Sequence, residues 1–192
     1  MRKNKKKLKN LILLIISEYN NSRLTETKLQ KLLYFCDFNA YEESGNSITG
    51  FTYKKNNFGP TIMDLRTYLN ELQDEGAIRI IKSKNPFGTT QHTFVPTGKQ
   101  PFDKSVFSDF ELRIIEQVNN EYQELKPRDI SAISHTDFPY VATKHLEDIN
   151  YDLVNYREHE EESCEDDNTP DFSNDSFISL VSKVSEKLSH GN

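Results

Sequence analysis

Tryptophan is absent from the 192 residues, and cysteine and methionine each occur only twice. Two cysteines cannot form the disulfide framework of a small secreted domain. Cys36 lies on an apolar helical stripe, which is typical of a small core residue. Cys164 lies in an acidic run, which disfavours a reactive thiolate. We therefore expect both cysteines to be ordinary structural or surface residues.

Long apolar runs are also missing. The most apolar run, Leu11–Ile16, has six residues, whereas a membrane-spanning helix needs roughly 20. The basic residues before this run resemble the start of a signal peptide, but Ser17-Glu18-Tyr19 follows it and no small-residue cleavage site is present. These features predict a soluble, cytoplasmic protein that does not enter a membrane.

Motifs for catalysis, metal binding and phosphate binding are lacking as well. The chain has no glycine-rich phosphate loop, no His-Glu-x-x-His or Gly-x-Ser-x-Gly motif, and no metal-spaced cluster of cysteine and histidine. Ser134, His135 and Asp137 are close neighbours in the sequence, and such proximity does not define a catalytic triad. We expect no catalytic residues, no metal ion and no cofactor.

The charge is unevenly distributed along the chain. The formal net charge is -6, from 24 basic and 30 acidic residues. Six of the basic residues lie between Arg2 and Lys9, so the rest of the chain has 18 basic and 30 acidic groups, a balance of -12. An acidic body repels phosphate, which disfavours nucleic-acid binding away from the first ten residues.

The segment from Thr27 to about Phe38 has the strongest helical pattern. Its apolar residues recur at helical spacing, and Thr27 and Gln30 have the spacing of a capping box. The side opposite the apolar stripe carries Lys28, Lys31, Tyr34 and Asp37. We predict a buried helix with a polar, aromatic-edged outer face. That face is either simply solvated or part of a binding groove with the segment Phe51–Gly59.

Other segments have weaker patterns of the same kind. The sequence predicts helices at 8–19, 61–75, after Ser108, at 128–134 and at about 140–146, a strand at 48–53, and a β-hairpin at 77–95. Pro60 is predicted to open the helix that follows it. The segment 149–156 fits either a helix or a strand.

The predicted elements divide the chain into three parts. Residues 1–7 are predicted to be a flexible basic tail, which is either solvated or in contact with nucleic acid or a protein partner. Residues 8–156 form the predicted domain, whose fold class is α+β, predominantly helical, with a small antiparallel sheet or hairpin inserted. In 157–192, an acidic segment that we expect to be disordered (158–167) precedes an amphipathic helix at 177–188.

Three motifs follow one another in a recognisable order: the helix segment Lys28–Phe35, the turn and predicted strand Ser47–Tyr53, and Phe58-Gly59-Pro60. In this order they resemble the Panacea domain, also called the SocA-like antitoxin domain. Ser134-His135 resembles a pair that the family has before its last helices. The resemblance covers roughly residues 8–155.

The resemblance implies a non-enzymatic antitoxin, encoded beside a toxin in bacteria or phages, that neutralises its cognate protein toxin by direct contact. It favours the groove interpretation of the helix face. The predicted partner-binding residues are Lys28, Lys31, Tyr34, Asp37, Phe51, Tyr53, Phe58, Gly59, Pro60 and His135. The sequence does not identify the toxin, and it is compatible with a monomer or a homo-oligomer.

Two other functions are compatible with the sequence. A helix followed by a hairpin suggests a winged-helix-like DNA-binding regulator, with residues 1–9 as a basic arm. Its recognition helix would be Thr61–Glu75, which carries one cation and four carboxylates and is a poor phosphate partner. An adaptor that delivers a client protein to a protease would share direct partner binding with the antitoxin.

Overall fold

Helix α2 (Glu26–Ser44) runs through the core of the protein. In this computed structural model, which describes residues 2–19, 24–84, 88–99 and 101–157 of the unit Met1–Arg157, α2 is buried without a break from Lys28 to Phe38. The helix is therefore enclosed by its neighbours on every side along these turns.

The described part of the chain contains five further α-helices and two small sheets. The helices are α1 (Lys5–Glu18), α3 (Leu65–Asp74), α4 (Asp109–Tyr122), α5 (Pro127–Thr136) and α6 (Phe138–Ala142), with short 3-10 helices at Lys104–Val106 and Tyr151–Tyr156. The sheets are antiparallel pairs, β1 (Lys54–Asn56) with β2 (Gly59–Thr61) and β3 (Ile78–Lys84) with β4 (Thr90–Pro96). The predicted fold class, predominantly helical α+β, is confirmed.

Helix α1 begins earlier than the sequence predicted. Its N-cap is Asn4, whose side chain accepts a hydrogen bond from the Lys7 amide, and the Asn4 amide donates to the Thr49 carbonyl at 2.8 Å. The prediction that residues 1–7 are a flexible tail is therefore wrong for residues 5–7, because they form the first turn of a capped helix. The apolar run Leu11–Ile16 is buried throughout, as expected for a central helix.

The predicted β-hairpin at 77–95 is confirmed. Strands β3 and β4 pair in register from Ile78 opposite Pro96 to Lys84 opposite Thr90. Phe94 is buried, and Thr93 forms a bridge to Thr25 at the start of α2. The hairpin is thus attached to the core through β4, while the outer part of β3 is exposed.

The strand predicted at 48–53 is wrong, since β1 begins at Lys54 and the preceding residues form no ladder. Side-chain oxygens accept hydrogen bonds from the backbone amides that a strand would need for pairing. The Thr49 amide donates to Asp37 Oδ1 at 2.7 Å, and the Phe51 amide donates to Thr49 Oγ1 at 3.3 Å. Side-chain bonds of this kind compete with strand pairing.

The prediction that Pro60 opens a helix is also wrong, because Pro60 lies in β2 opposite Lys55 and α3 begins only at Leu65. The intervening chain is tied to α2 by the Gln30 amide group. Gln30 Oε1 accepts from the Ile62 amide at 2.9 Å, and its Nε2 donates to the Ile62 carbonyl at 3.3 Å. A helix could not start before this bridge.

The predictions for the second half of the chain have mixed outcomes. His135, predicted to lie in a loop, is in the last turn of α5, and the ambiguous segment 149–156 contains a 3-10 helix. The helix predicted after Ser108 is confirmed as α4, and Ser108 and Glu111 form a capping box at its start. The predictions for 158–167 and 177–188 lie outside the described residues.

The N-cap of α2 is Thr25, two positions before the threonine that the sequence suggested. Thr25 Oγ1 accepts from the Lys28 amide at 3.2 Å, whereas Thr27 is an exposed residue within the first turn. We expect Thr25→Ala to lower the free energy of unfolding by about 0.5–2 kcal/mol, since an N-cap bond is lost.

Urea denaturation followed by circular dichroism would measure this change. Thr27→Ala is the matched control, because it makes the same substitution without removing a cap, and we expect a change within about 0.5 kcal/mol. Equal losses in the two variants would contradict the assignment of Thr25 as the cap.

Candidate functional site

The polar side of α2 does not face solvent. Lys28 is 3 % exposed, Lys31 is 1 % exposed, and Tyr34 and Asp37 are 0 % exposed. The predicted outer face of this helix is therefore wrong. Four other parts of the fold cover it, and each polar side chain binds one of them.

Lys28 binds the end of helix α4. Its Nζ donates to the carbonyls of Gln123 and Leu125 at 2.7 and 2.6 Å, and it also lies 4.6 Å from the centre of the Tyr19 ring. The last carbonyls of a helix have no partners within the helix, and a cation is favourable there. Burial removes water from the Lys28 amine and thereby lowers its pKa. The two carbonyl oxygens replace part of the lost hydration.

Asp37 binds the segment that follows α2. Its carboxylate accepts from the Thr49 amide at 2.7 Å, the Thr49 hydroxyl at 2.5 Å and the Tyr53 hydroxyl at 2.8 Å. Burial raises the pKa of Asp37 to about 6, although all three bonds act to lower it. Phe51 and Tyr53, which the sequence predicted at a binding surface, are fully buried around this carboxylate.

Tyr34 binds the junction of α5 and α6. Its hydroxyl donates to Asp137, which also receives two bonds from Arg157 at 2.8 and 2.9 Å. The Arg157 guanidinium reaches back to α2, where it donates to Glu42 at 2.7 Å and Asn39 at 2.9 Å. Such a bidentate, charge-assisted pair is strong and geometrically specific, so it fastens the end of the domain to α2.

Lys31 is the point at which the motifs of the sequence meet. Its Nζ donates to the Pro60 carbonyl at 3.1 Å. Gly59 has φ of 93°, and a Cβ on it would lie 2.5 Å from Lys31 Cε and 2.9 Å from Ser134 Oγ. Only glycine fits both this backbone conformation and this contact. The helix motif, the Phe-Gly-Pro turn and the Ser-His pair thus occupy one site.

The β1–β2 turn is also held from the side of α5 and α6. His135 Nε2 lies 3.3 Å from the Asn57 carbonyl oxygen, and the Tyr140 hydroxyl donates to the Asn56 carbonyl at 2.7 Å. The rings of His135 and Tyr140 are in contact, with centroids 4.8 Å apart. His135 is half-buried and contacts the turn on the side that faces α5.

Phe58 projects from this turn into solvent. Its side chain is 75 % exposed, whereas the adjacent Gly59 and Pro60 are buried. Among the predicted partner-binding residues, Phe58 is the one that the structure leaves exposed, and His135 is half-buried. The other eight are buried contacts within the domain. Lys31 and His135 meet the Phe58-Gly59-Pro60 turn, whereas Lys28, Tyr34 and Asp37 bind other parts of the fold, so the ten do not form one open groove.

Sequence reasoning missed three exposed apolar residues on segments that contact the β1–β2 hairpin. Ile133 lies on α5 just before His135, the Val141 carbonyl accepts from Lys55 Nζ at 3.2 Å, and the Leu146 amide donates to the Lys55 carbonyl at 2.8 Å. Single apolar residues of this kind give no periodic signal, so pattern reasoning could not find them. We call Phe58, Ile133, Val141 and Leu146 the Phe58 surface.

Leu146 also has an unusual backbone. Its φ of 65° is left-handed, which is uncommon for a bulky residue. Such conformations cost free energy and tend to occur at functional positions. The bond from the Leu146 amide to the Lys55 carbonyl holds this conformation beside β1, so the backbone is ordered under an exposed leucine.

The site combines buried polar tethers, a fixed turn and exposed apolar residues. The family model described as "Antitoxin SocA-like, Panacea domain" matches residues 29–139, more than half of the chain. The chain therefore belongs to the family of SocA-like antitoxins with a Panacea domain. No curated protein matches the chain.

Two further observations concern the described residues only. None of the helices in the described ranges is both long and apolar enough to span a membrane. Within the same ranges, no three histidine, cysteine, aspartate or glutamate side chains lie together in a way that could hold a metal ion.

The burial of Lys31 and Asp37 makes stability depend on pH. Burial lowers the pKa of Lys31 from 10.5 to about 7, so the unfolded chain binds more protons between these values, and the free energy of unfolding should rise with pH there. Asp37 has the opposite effect. Its pKa is raised from 3.8 to about 6, so the free energy of unfolding should fall as the pH increases from about 4 to 6.

We expect Lys31→Met to abolish the rise in stability above pH 7, because it removes the titrating amine and keeps an unbranched side chain. In the unaltered protein the rise should be roughly 2–5 kcal/mol, since one pKa unit corresponds to about 1.36 kcal/mol. Urea denaturation at several pH values between 7 and 10.5 would measure it. Lys144→Met, at an exposed lysine, should retain the rise. Identical slopes for both variants would refute the role of Lys31.

Proposed function

We propose that this protein is an antitoxin that neutralises a cognate protein toxin by direct binding, without catalysing a reaction. The single observation that carries the proposal is the exposed Phe58 ring on a turn whose backbone is fixed. Membership of the SocA-like antitoxin family supports it. The toxin would contact the Phe58 surface.

The turn is suited to binding because it is ordered before any partner arrives. Lys31 holds it at Pro60, His135 lies against it at Asn57, and Tyr140 holds it at Asn56. A pre-ordered loop loses little conformational entropy on binding. Aromatic side chains are common anchors at the centre of interfaces, and Phe58 would be such an anchor.

The absence of catalysis is part of the proposal. Lys31 and Ser134, a potential base and a potential nucleophile beside the turn, are 1 % and 0 % exposed. Lys31 already donates to the Pro60 carbonyl, and the Ser134 hydroxyl donates to the Ser131 carbonyl at 2.8 Å. A substrate could not approach these atoms without opening the core, which supports a binding function.

The charge of the chain suggests the chemistry of the toxin. Outside Arg2–Lys9 the chain has a balance of -12. A toxin that handles nucleic acid or nucleotide would have a basic surface, which this acidic chain would attract and cover. The proposed mechanism is therefore occlusion of the toxin, combining an apolar anchor with long-range electrostatic attraction.

We expect Phe58→Ala to weaken toxin binding by at least tenfold and to abolish the rescue of growth when it is co-expressed with the adjacent toxin gene. A well-placed interface aromatic commonly contributes about 2 kcal/mol or more. Its melting temperature should change little, because the ring is mostly exposed.

Ile81→Ala is the matched control, since it truncates an exposed apolar residue on the other sheet. It should preserve both binding and rescue. Full rescue by Phe58→Ala would show that the turn is not the toxin-binding surface.

The electrostatic part of the mechanism is tested separately with the purified complex. We expect its dissociation constant to rise at least tenfold between 50 and 500 mM salt, because charge attraction is screened. Deletion of residues 158–192, which contain the acidic run, should weaken neutralisation. A complex that is insensitive to both salt and deletion would leave the Phe58 surface as the only determinant.

A further inference from the structure

The β3–β4 hairpin is basic although the chain is acidic. From Gly76 to Phe102 the sequence contains no aspartate or glutamate, and its cations are Arg79, Lys82, Lys84 and Lys99. The side chains of the three cations on β3 form no hydrogen bond or ion pair within the described ranges. Their charge is therefore available to a partner.

A cavity of about 500 Å³ lies between this hairpin and α3. Leu69, Ile80 and Phe94 supply its apolar lining, and Lys82 lies at its edge with Arg66, Glu26 and His92. Arg66 is paired with Glu26, and its guanidinium lies 3.3 and 3.5 Å from the two ring nitrogens of His92. Among the cations that line the cavity, Lys82 is thus the one without a partner in the described structure.

The outer edge of β3 borders the cavity and is only partly paired. The Ile80 amide donates to Gln73 Oε1 at 3.0 Å, so it points away from β4. Because backbone groups alternate in direction along an antiparallel strand, those of Lys82 and Lys84 point the same way. No described residue bonds to them. Unpaired strand edges readily accept another strand.

We propose that an extended, acidic segment of a partner protein pairs with the outer edge of β3. Its backbone would bond to Lys82 and Lys84, one apolar side chain would enter the cavity, and a carboxylate would lie beside the Lys82 amine. Strand addition of this kind takes affinity from the main chain and specificity from alternate side-chain pockets. It uses a different sheet from the Phe58 surface and does not depend on toxin binding there.

Two other occupants fit the edge less well. Nucleic acid would engage the cations, but it has no peptide backbone that could continue the ladder along the edge of β3. A second copy of the chain would pair one β3 with another and bring Arg79, Lys82 and Lys84 against their own kind. Like charges across paired strands are destabilising. An acidic peptide satisfies the edge, the cavity and the charge together.

An array of random ten-residue peptides probed with the full-length protein would test the proposal. We expect the bound peptides to be enriched in aspartate and glutamate alternating with aliphatic residues. For the best of them, Lys82→Glu should weaken binding at least tenfold. Arg79→Glu is the matched control, since it reverses the same charge on the same strand but on the opposite face of the sheet, and it should change binding less than threefold.

Two further measurements test the main-chain contact and the independence of this site from the Phe58 surface. N-methylation of alternate peptide amides should weaken binding at least tenfold in one of the two registers, because strand pairing needs those donors. Phe58→Ala should leave peptide binding unchanged, so failure here and failure of the toxin proposal are distinguishable.

Four outcomes would overturn the proposal. These are bound peptides without acidic enrichment, equal losses for Lys82→Glu and Arg79→Glu, competitive displacement of the peptide by a DNA duplex, and a dimer in sedimentation that Lys82→Glu alters. Circular dichroism of both charge variants should match that of the unaltered protein, so that a change in binding is not a change in fold.

Discussion

The buried amino group of Lys31 constrains the arrangement of the whole site. An amine that is removed from water must find an acceptor or lose its proton, and here the Pro60 carbonyl is the acceptor. This contact places the β1–β2 turn against α2, and Gly59 and Ser134 must then fit closely around the lysine. The buried polar groups of Lys28, Tyr34 and Asp37 also need hydrogen-bond partners, and each finds them in a different part of the fold. Helix α2 therefore binds its surroundings through hydrogen bonds as well as apolar packing.

This arrangement links the interior of the domain to its surface. The turn cannot withdraw its aromatic ring, because the residues on both sides of Phe58 are held by α2, α5 and α6. An exposed phenylalanine on a mobile loop would fold back onto apolar surface. On a fixed turn it remains available, and the free energy of hiding it is gained only when a partner covers it. The internal tethers therefore keep Phe58 exposed, as the proposed role of an anchor requires.

Much of this fold could be predicted from periodicity, since the core helices and the β3–β4 hairpin have strong, regular patterns. The burial of the polar side of α2 could not be predicted in this way. Periodicity separates polar from apolar positions, but it does not show which later segment will cover the polar ones. Thr25 and Thr27 are equally good caps by residue type, and only the observed bond to the Lys28 amide distinguishes them. The prediction of a strand at 48–53 was wrong because the Thr49 amide donates its hydrogen bond to Asp37, which lies in α2.

The residues that identify the family are mostly those that the core conceals. Lys31, Gly59 and Ser134 are buried in one contact, so their presence shows how the domain is built but touches no toxin. If the protein binds a toxin as proposed, recognition would depend on residues outside the motifs, such as Ile133 and Leu146, together with Phe58 at the start of one motif. A common internal frame with variable exposed residues would allow one domain type to bind unrelated proteins. In the proposed function, the Phe58 surface and the charge of the chain would determine which toxin is bound, and the motif that defines the family would not.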